Sequence, residues 1–282
     1  MRTLLVGVLG IAVVIARPAA QAPTTPAAPA SATPAIVEQA GRYVDAYIEA
    51  FSAVVSEEKQ TQTLIRPDGR VKKVREITAD FLLVKTQGTW PEAFRDVIEV
   101  DGKPVRNRED RLRKLFLDNP KTASGLAAAI AEESGRYNLG FRRRGNSPLL
   151  PIIFLTPRIA EGVRFDGTPA ALTFQEVRTP SVLKRRGGSG DHNMPAHGAF
   201  EIEPGTGRVL AAEFTADNPD SKVSATFKAR YAIDPKLEIS VPIEASERYW
   251  QPAKPNEDVL EVRATYSSFR KFQVTTGEAI KK

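Results

Sequence analysis

Both histidines of this 282-residue chain lie in one stretch, Asp191-His192-Asn193-Met194-Pro195-Ala196-His197. A carboxylate and two imidazoles are a zinc-type ligand set. The stretch belongs to the Gly-rich segment 187–198, however, and ligands on such a segment lack the rigid outer partners that a metal site requires. It is read as an exposed, mobile loop, with no metal expected. Gly187-Gly188-Ser189-Gly190-Asp191 has the outline of a nucleophile elbow, but Asp191 stands where the final Gly belongs and no strand–turn–helix frame surrounds it. Glu109-Asp110 and Glu132-Glu133 are adjacent carboxylates, the group type that glycoside hydrolysis pairs, on helices whose charged residues face solvent. There is no P-loop, no dinucleotide fingerprint and no cysteine to serve as nucleophile. A hydrolase therefore ranks below a binding protein, and no catalytic residue or cofactor is expected.

Two basic runs have a different use. Arg142, Arg143 and Arg144 adjoin Gly-rich sequence, as do Lys184, Arg185 and Arg186. At the mouth of a cavity they would meet phosphate or carboxylate head groups. As solvated loops they would simply keep the protein soluble. Lys plus Arg number 40 against 34 Asp plus Glu, a net charge of +6. Spread thinly, that charge permits peripheral contact with an anionic membrane. No aromatic-flanked basic motif appears, which argues against nucleic acid.

Such groups need elements to hold them. Val37, Ala40, Val44, Tyr47, Ile48, Phe51 and Val55 recur at three- and four-residue steps, predicting one long helix over 36–58 that lies on a sheet. Its far face carries Glu38, Asp45, Glu49 and Glu57 rather than a basic band, so the stripe is for core packing and not for a membrane. Two hairpins follow, turning at Pro67-Asp68-Gly69 and at Asp101-Gly102. Helical segments are predicted over 106–117 and 122–137. Ser147-Pro148 caps the wholly apolar 149–155, which must be buried as a plug or cavity wall against the sheet. From Val163 onward the pattern is nearly all strand. Ile239, Val241, Ile243 and Ala245 alternate with polar residues, and Pro242 implies an edge or an outward amide position. Leu260, Val262, Ala264 and Tyr266 alternate with Glu261, Arg263 and Thr265, and the order breaks at Ser267-Ser268-Phe269 as at a bulge.

The start of the chain sets the compartment. Residues 4–16, LLVGVLGIAVVIA, are too short to span a bilayer, which takes roughly 20 residues, and fit the apolar core of a cleaved signal. The signal is placed at 1–16, with cleavage as late as 22 as the alternative. Residues 17–35 are mostly Ala, Pro, Thr and Ser and are read as a disordered leader, and 36–282 as a single α+β domain. An exported protein without disulfides points to a bacterial periplasm, or to secretion.

The order of these elements resembles the periplasmic lipoprotein-carrier (LolA/LolB-like) superfamily. The likeness is carried by Pro204-Gly205-Thr206-Gly207-Arg208-Val209, Tyr231-Ala232-Ile233-Asp234, Val241-Pro242 and Ala264-Thr265-Tyr266-Ser267-Ser268-Phe269-Arg270. It is a likeness of architecture, and no single position matches the family's functional arginine. The resemblance implies a strongly curved antiparallel sheet, a half-open barrel with one long N-terminal helix and with helices over the concave face. It also implies an apolar ligand such as a lipid, or the acyl chain of a lipoprotein. Counting strands gives roughly ten. Phe81, Leu83, Leu149, Ile153, Phe227, Tyr231 and Tyr266 are the candidate lining of such a cavity, or else plain filled core. The competing reading is a sensor or scaffold that docks an envelope protein partner and has no cavity.

Overall fold

The computed structural model describes residues 32–84, 91–114, 123–139, 148–187, 190–217 and 223–271. The expected signal, Arg142, Arg143, Arg144, Gly188 and Ser189 lie outside the described residues, as do the side chains of Arg185 and Arg186.

Helix α1 spans Ala32–Phe51. It begins four residues earlier than predicted, because Pro34 falls in its first turn, where no amide hydrogen is needed. It also ends seven residues earlier than predicted. Ser52 closes it, with both its amide and its hydroxyl donating to the Ile48 carbonyl. Val54-Val55, β-branched and buried, then start strand β1, Val54–Ile65. Glu57 and Glu58 are therefore strand residues and not the end of the helix.

β1 pairs with β2 (Val71–Val84), and β2 with β3 (Glu92–Val100), which turns into β4 (Lys103–Pro104). Asp101 and Gly102 take φ of 50° and 73°, the two positive values that a tight hairpin turn between right-twisted strands demands. Helices α2 (Arg108–Arg113) and α3 (Ala123–Gly135) follow. Next come a buried 3-10 turn, Leu150–Leu155, here the plug, and the short α4, Pro157–Ala160. The remaining strands are β5 (Val163–Thr168), β6 (Ala171–Glu176), β7 (Lys184–Gly187), β8 (Gly190–Asn193), β9 (Ala196–Ile202), β10 (Val209–Ala216), β11 (Ser224–Asp234), β12 (Ile239–Trp250) and β13 (Val259–Lys271).

Eleven of these strands form one antiparallel, unclosed sheet, in the order β4-β3-β2-β1-β13-β12-β11-β10-β9-β6-β5. The closing strand thus sits in the middle, its Leu260, Val262, Ala264 and Tyr266 all buried as their alternation requires. Its predicted bulge is present: Val55 faces Arg270 and Glu57 faces Ser267, and Ser268 takes a positive φ of 54°. α1 and the plug cover the inner face near β10, β11 and β12. α3 does not join them. It packs Ile130 against Phe94, on the opposite face of β3 from Arg95, and its Ser134 hydroxyl caps the Arg95 amide at that strand's edge.

Two further expectations change. Of the segment expected to be a mobile loop, Gly187 ends β7, Gly190–Asn193 form β8 paired with it, and Ala196, His197 and Gly198 begin β9. Glu176 anchors it, accepting from the Val182 amide at 2.6 Å and from the Ala196 amide at 3.1 Å. β12 is an interior strand, yet at Pro242 it is locally an edge, as the proline implies: β13 pairs only from Glu244 onward, and a bulge lies beside the proline. That bulge shifts the face by one residue. Ile243 is left 37% exposed and Ser240 is buried, against the predicted alternation, while Val241 is buried and Ile239 and Ala245 pack against the core as expected.

Candidate functional site

All seven candidate lining residues fall in one buried cluster on the inner face. Phe81 and Leu83 come from β2, Leu149 and Ile153 from the plug region, Phe227 and Tyr231 from β11, and Tyr266 from β13. Pairing explains why. In antiparallel neighbours, residues directly opposite share a face, so Phe214↔Phe227 and Ala229↔Ala245↔Ala264 all point inward. These side chains are packed against one another. Phe51 meets Phe81 at 6.3 Å and Phe81 meets Tyr266 at 5.4 Å between ring centroids. Tyr47 meets Tyr231 edge-on at 5.8 Å.

The lid is seated by an absence. Gly198 of β9 lies in register between Phe174 and Phe214, and a Cβ there would come within 2.0 Å of the Glu213 carbonyl oxygen. Phe154 of the plug packs on both flanking rings, at 4.8 Å from Phe174 and 5.3 Å from Phe214. The Tyr231 hydroxyl then donates to the Pro148 carbonyl at 2.5 Å, fixing the chain just before the plug.

Beside the apolar surface runs a buried polar strip that sequence reading missed. β1 contributes Glu58, Gln60 and Gln62, β3 contributes Arg95, and β12 contributes Glu247. Arg95 binds both oxygens of Glu58, which also accepts from the Tyr266 hydroxyl at 2.9 Å. Burial works against the Arg95 charge, yet the adjoining Glu58 carboxylate outweighs it and holds the guanidinium above its ordinary pKa. Glu247 accepts from the Tyr249 hydroxyl at 2.6 Å, and Gln62 ties the strip to Asn138 and the Leu139 amide. The signal was present in Glu58-x-Gln60-x-Gln62. A strand that is polar on both faces can be buried only against polar partners.

Tyr43, Tyr47, Ile152, Val209, Tyr231 and Ser240 line a shallow crevice between α1 and the sheet that has no room for a water molecule. His192 lies in β8 and His197 in β9, and among the described residues no group of three or more His, Asp or Glu is placed to hold a metal. Glu133 is engaged by Arg111 at 3.2 Å and Arg136 at 2.6 Å.

No protein-family profile matches the chain, and no curated protein matches it. Among solved structures it is similar to a DUF1329 family protein from Desulfovibrio piger, with 12% identity over 88% of this chain and 95% of that one, at a TM-score of 0.37. It is similar to lipovitellin, with 12% identity over 80% of this chain and 26% of that one, at a TM-score of 0.36. It is also similar to a domain from Vibrio parahaemolyticus named for outer membrane lipoprotein sorting, with 10% identity over 86% of this chain and 94% of that one, at a TM-score of 0.39.

Proposed function

We propose that this chain is an exported binding protein of the bacterial envelope that holds an acyl chain, or a similarly apolar ligand, between the inner face of its sheet and the lid formed by α1 and the plug. The observation that carries this reading is the single apolar cluster shared by sheet and lid, reaching from Phe81 and Tyr266 through Phe227 to Phe154. The lid rests largely on apolar contact, so a ligand that enters beneath it exchanges one set of apolar contacts for another. Each buried CH₂ contributes about 0.8 kcal/mol, and a long tail can be held with no catalytic group. The proposed mechanism is non-covalent and uses no cofactor.

The test is mass spectrometry of organic extracts from protein purified from a native periplasm without detergent. A stoichiometric lipid or lipopeptide is the expected result. A blank that persists after incubation with membranes overturns the carrier and favours the second reading, a module that docks an envelope protein. That alternative draws on the crevice, which has no room for a water molecule, whereas common ligand pockets enclose about 300–1,000 Å³. It draws also on Val71 and Val74, exposed on the β1–β2 arm.

A further inference from the structure

We propose that the place where β12 and β13 part is the portal through which an acyl chain enters the apolar interior; the inference rests on the carrier reading above and specifies its route of entry. The two strands pair from Glu244↔Thr265 to Tyr249↔Leu260 and no further. Each nevertheless continues. β11 follows β12 as far as Ile239, and β1 follows β13 as far as Lys271. The sheet therefore forks: residues 239–243 edge one leaf, residues 266–271 edge the other, and no other described strand lies between them. Among the described residues no hydrogen bond or ion pair joins the two edges.

Both arms carry a bulge where they part. On β12, Arg230 faces Glu244 and Tyr231 faces Pro242, which leaves Ile243 as an extra residue. On β13 the second bulge lies between Ser267 and Arg270, with Ser268 at a φ of 54°. A bulge bends its strand and disrupts regular pairing, so two at one place separate the strands. The same features decide what suits the gap. Pro242 has no amide hydrogen, and Arg270 and Lys271 are exposed charges. Together with the bulges, these are devices that keep an edge from accepting another strand. An extended peptide is therefore a poor match. The apolar side chains at the fork match a hydrocarbon: Ile243 is exposed on one arm, and Phe269 on the other is half-buried and packs against the inner cluster.

Behind the fork lies the aromatic interior, divided between the leaves. Phe81 and Tyr266 belong to the leaf that contains β13, with ring centroids 5.4 Å apart. Tyr231 belongs to the leaf that contains β12. α1 bridges them: Phe51 meets Phe81 at 6.3 Å, Tyr47 meets Tyr231 at 5.8 Å, and Tyr47 and Phe51 stack on each other at 5.7 Å. A tail that passes Ile243 and Phe269 thus reaches Tyr47 and Phe51, and then the surfaces that sheet and lid share. Spreading the two edges breaks no ladder bond between them. Lifting the lid instead breaks polar ties, from the Gln39 amide to the Gly205 carbonyl and from the Tyr231 hydroxyl to the Pro148 carbonyl.

The chain has no cysteine, so a thiol placed in the fork is unique. Ile243→Cys is labelled through a disulfide with a bulky methanethiosulfonate reagent. Glu201→Cys, exposed on β9 and remote from the fork, is labelled in the same way as the control. Stopped-flow fluorescence then follows uptake of cis-parinaric acid, which brightens in apolar surroundings. Labelled Ile243→Cys is expected to take up the probe roughly tenfold more slowly than the labelled control, to reach the same final binding, and to regain its rate when reductant removes the label. Equal rates overturn the portal and leave entry to the lid, while the carrier reading stands. Final binding that falls at an unchanged rate also overturns it, since the label then acts on the site and not on the route. A wild type that binds no parinaric acid overturns both.

Discussion

Arg95 and Glu58 meet at two points inside the sheet, with Arg95 Nη2 donating to Glu58 Oε1 at 2.9 Å and Nε donating to Oε2. Glu58 is 0% exposed and Arg95 is 5% exposed. Removing one member of so buried a pair leaves the other charged and desolvated, which costs about 3–5 kcal/mol. Arg95→Leu is expected to lower stability by that amount in urea unfolding. The triple variant Arg95→Leu, Glu58→Met, Tyr266→Phe should recover part of the loss but not all of it, since the buried Glu247 carboxylate loses the nearby Arg95 charge. A single variant as stable as the wild type would show the pair to be energetically idle.

The notch at Gly198 has little tolerance. Gly198→Ala places a methyl within 2.0 Å of the Glu213 carbonyl oxygen and 2.8 Å of the Phe214 Cβ. Backbone must move, and overpacking of this kind costs about 1–3 kcal/mol or more. The expected outcome is a lower denaturation midpoint at an unchanged m-value. A neutral result would mean that β9 slides freely against β10.

Phe154 is the complementary probe from the lid. Phe154→Ala removes a fully buried ring that bridges Phe174 and Phe214, at an expected cost of about 3–5 kcal/mol. Hydrogen exchange should rise first in the plug and α1 if the lid opens as a unit. Exchange that rises uniformly across the sheet instead would show that lid and sheet unfold together.

Gly41 tests how closely α1 approaches the plug, because a Cβ there would lie 2.8 Å from the Leu155 carbonyl oxygen. Alanine is favoured over glycine within helices by about 1 kcal/mol, so contact and propensity oppose each other. Gly41→Ala is expected to lose stability overall, since backbone is the obstacle. A stabilised variant would show that α1 can shift away without penalty.

Alkaline pH provides a test of the aromatic core. Burial raises the pKa of Tyr43, Tyr47, Tyr231 and Tyr266 above the ordinary 10.0. These phenols keep their protons in the folded chain, whereas in the unfolded chain they release them near 10. The stability they contribute is fully present below that pH and is lost as pH rises above it. Ultraviolet titration should show these four ionising only as the fold is lost. Six tyrosines titrating together near pH 10, with native circular dichroism retained, would contradict the packing described.

Much of the architecture was legible in the chain because it rests on local periodicity. The alternation of Leu260, Val262, Ala264 and Tyr266, the Asp101-Gly102 turn, the break at Ser268 and the apolar plug each express a rule that neighbouring residues satisfy among themselves. The same rules placed Phe81, Phe227, Tyr231 and Tyr266 on buried faces. What the sequence alone left undecided depends on parity and on partners far away. Ser240 reaches the crevice only because one bulge beside Pro242 reverses which side of β12 faces inward. Glu58 is a buried pair member rather than the end of a helix only because β2 stands between β1 and β3 and sets Phe81 beside Arg95. A strand's pattern determines that its faces differ; which face meets the interior, and which charge waits there, was decided by register across the sheet.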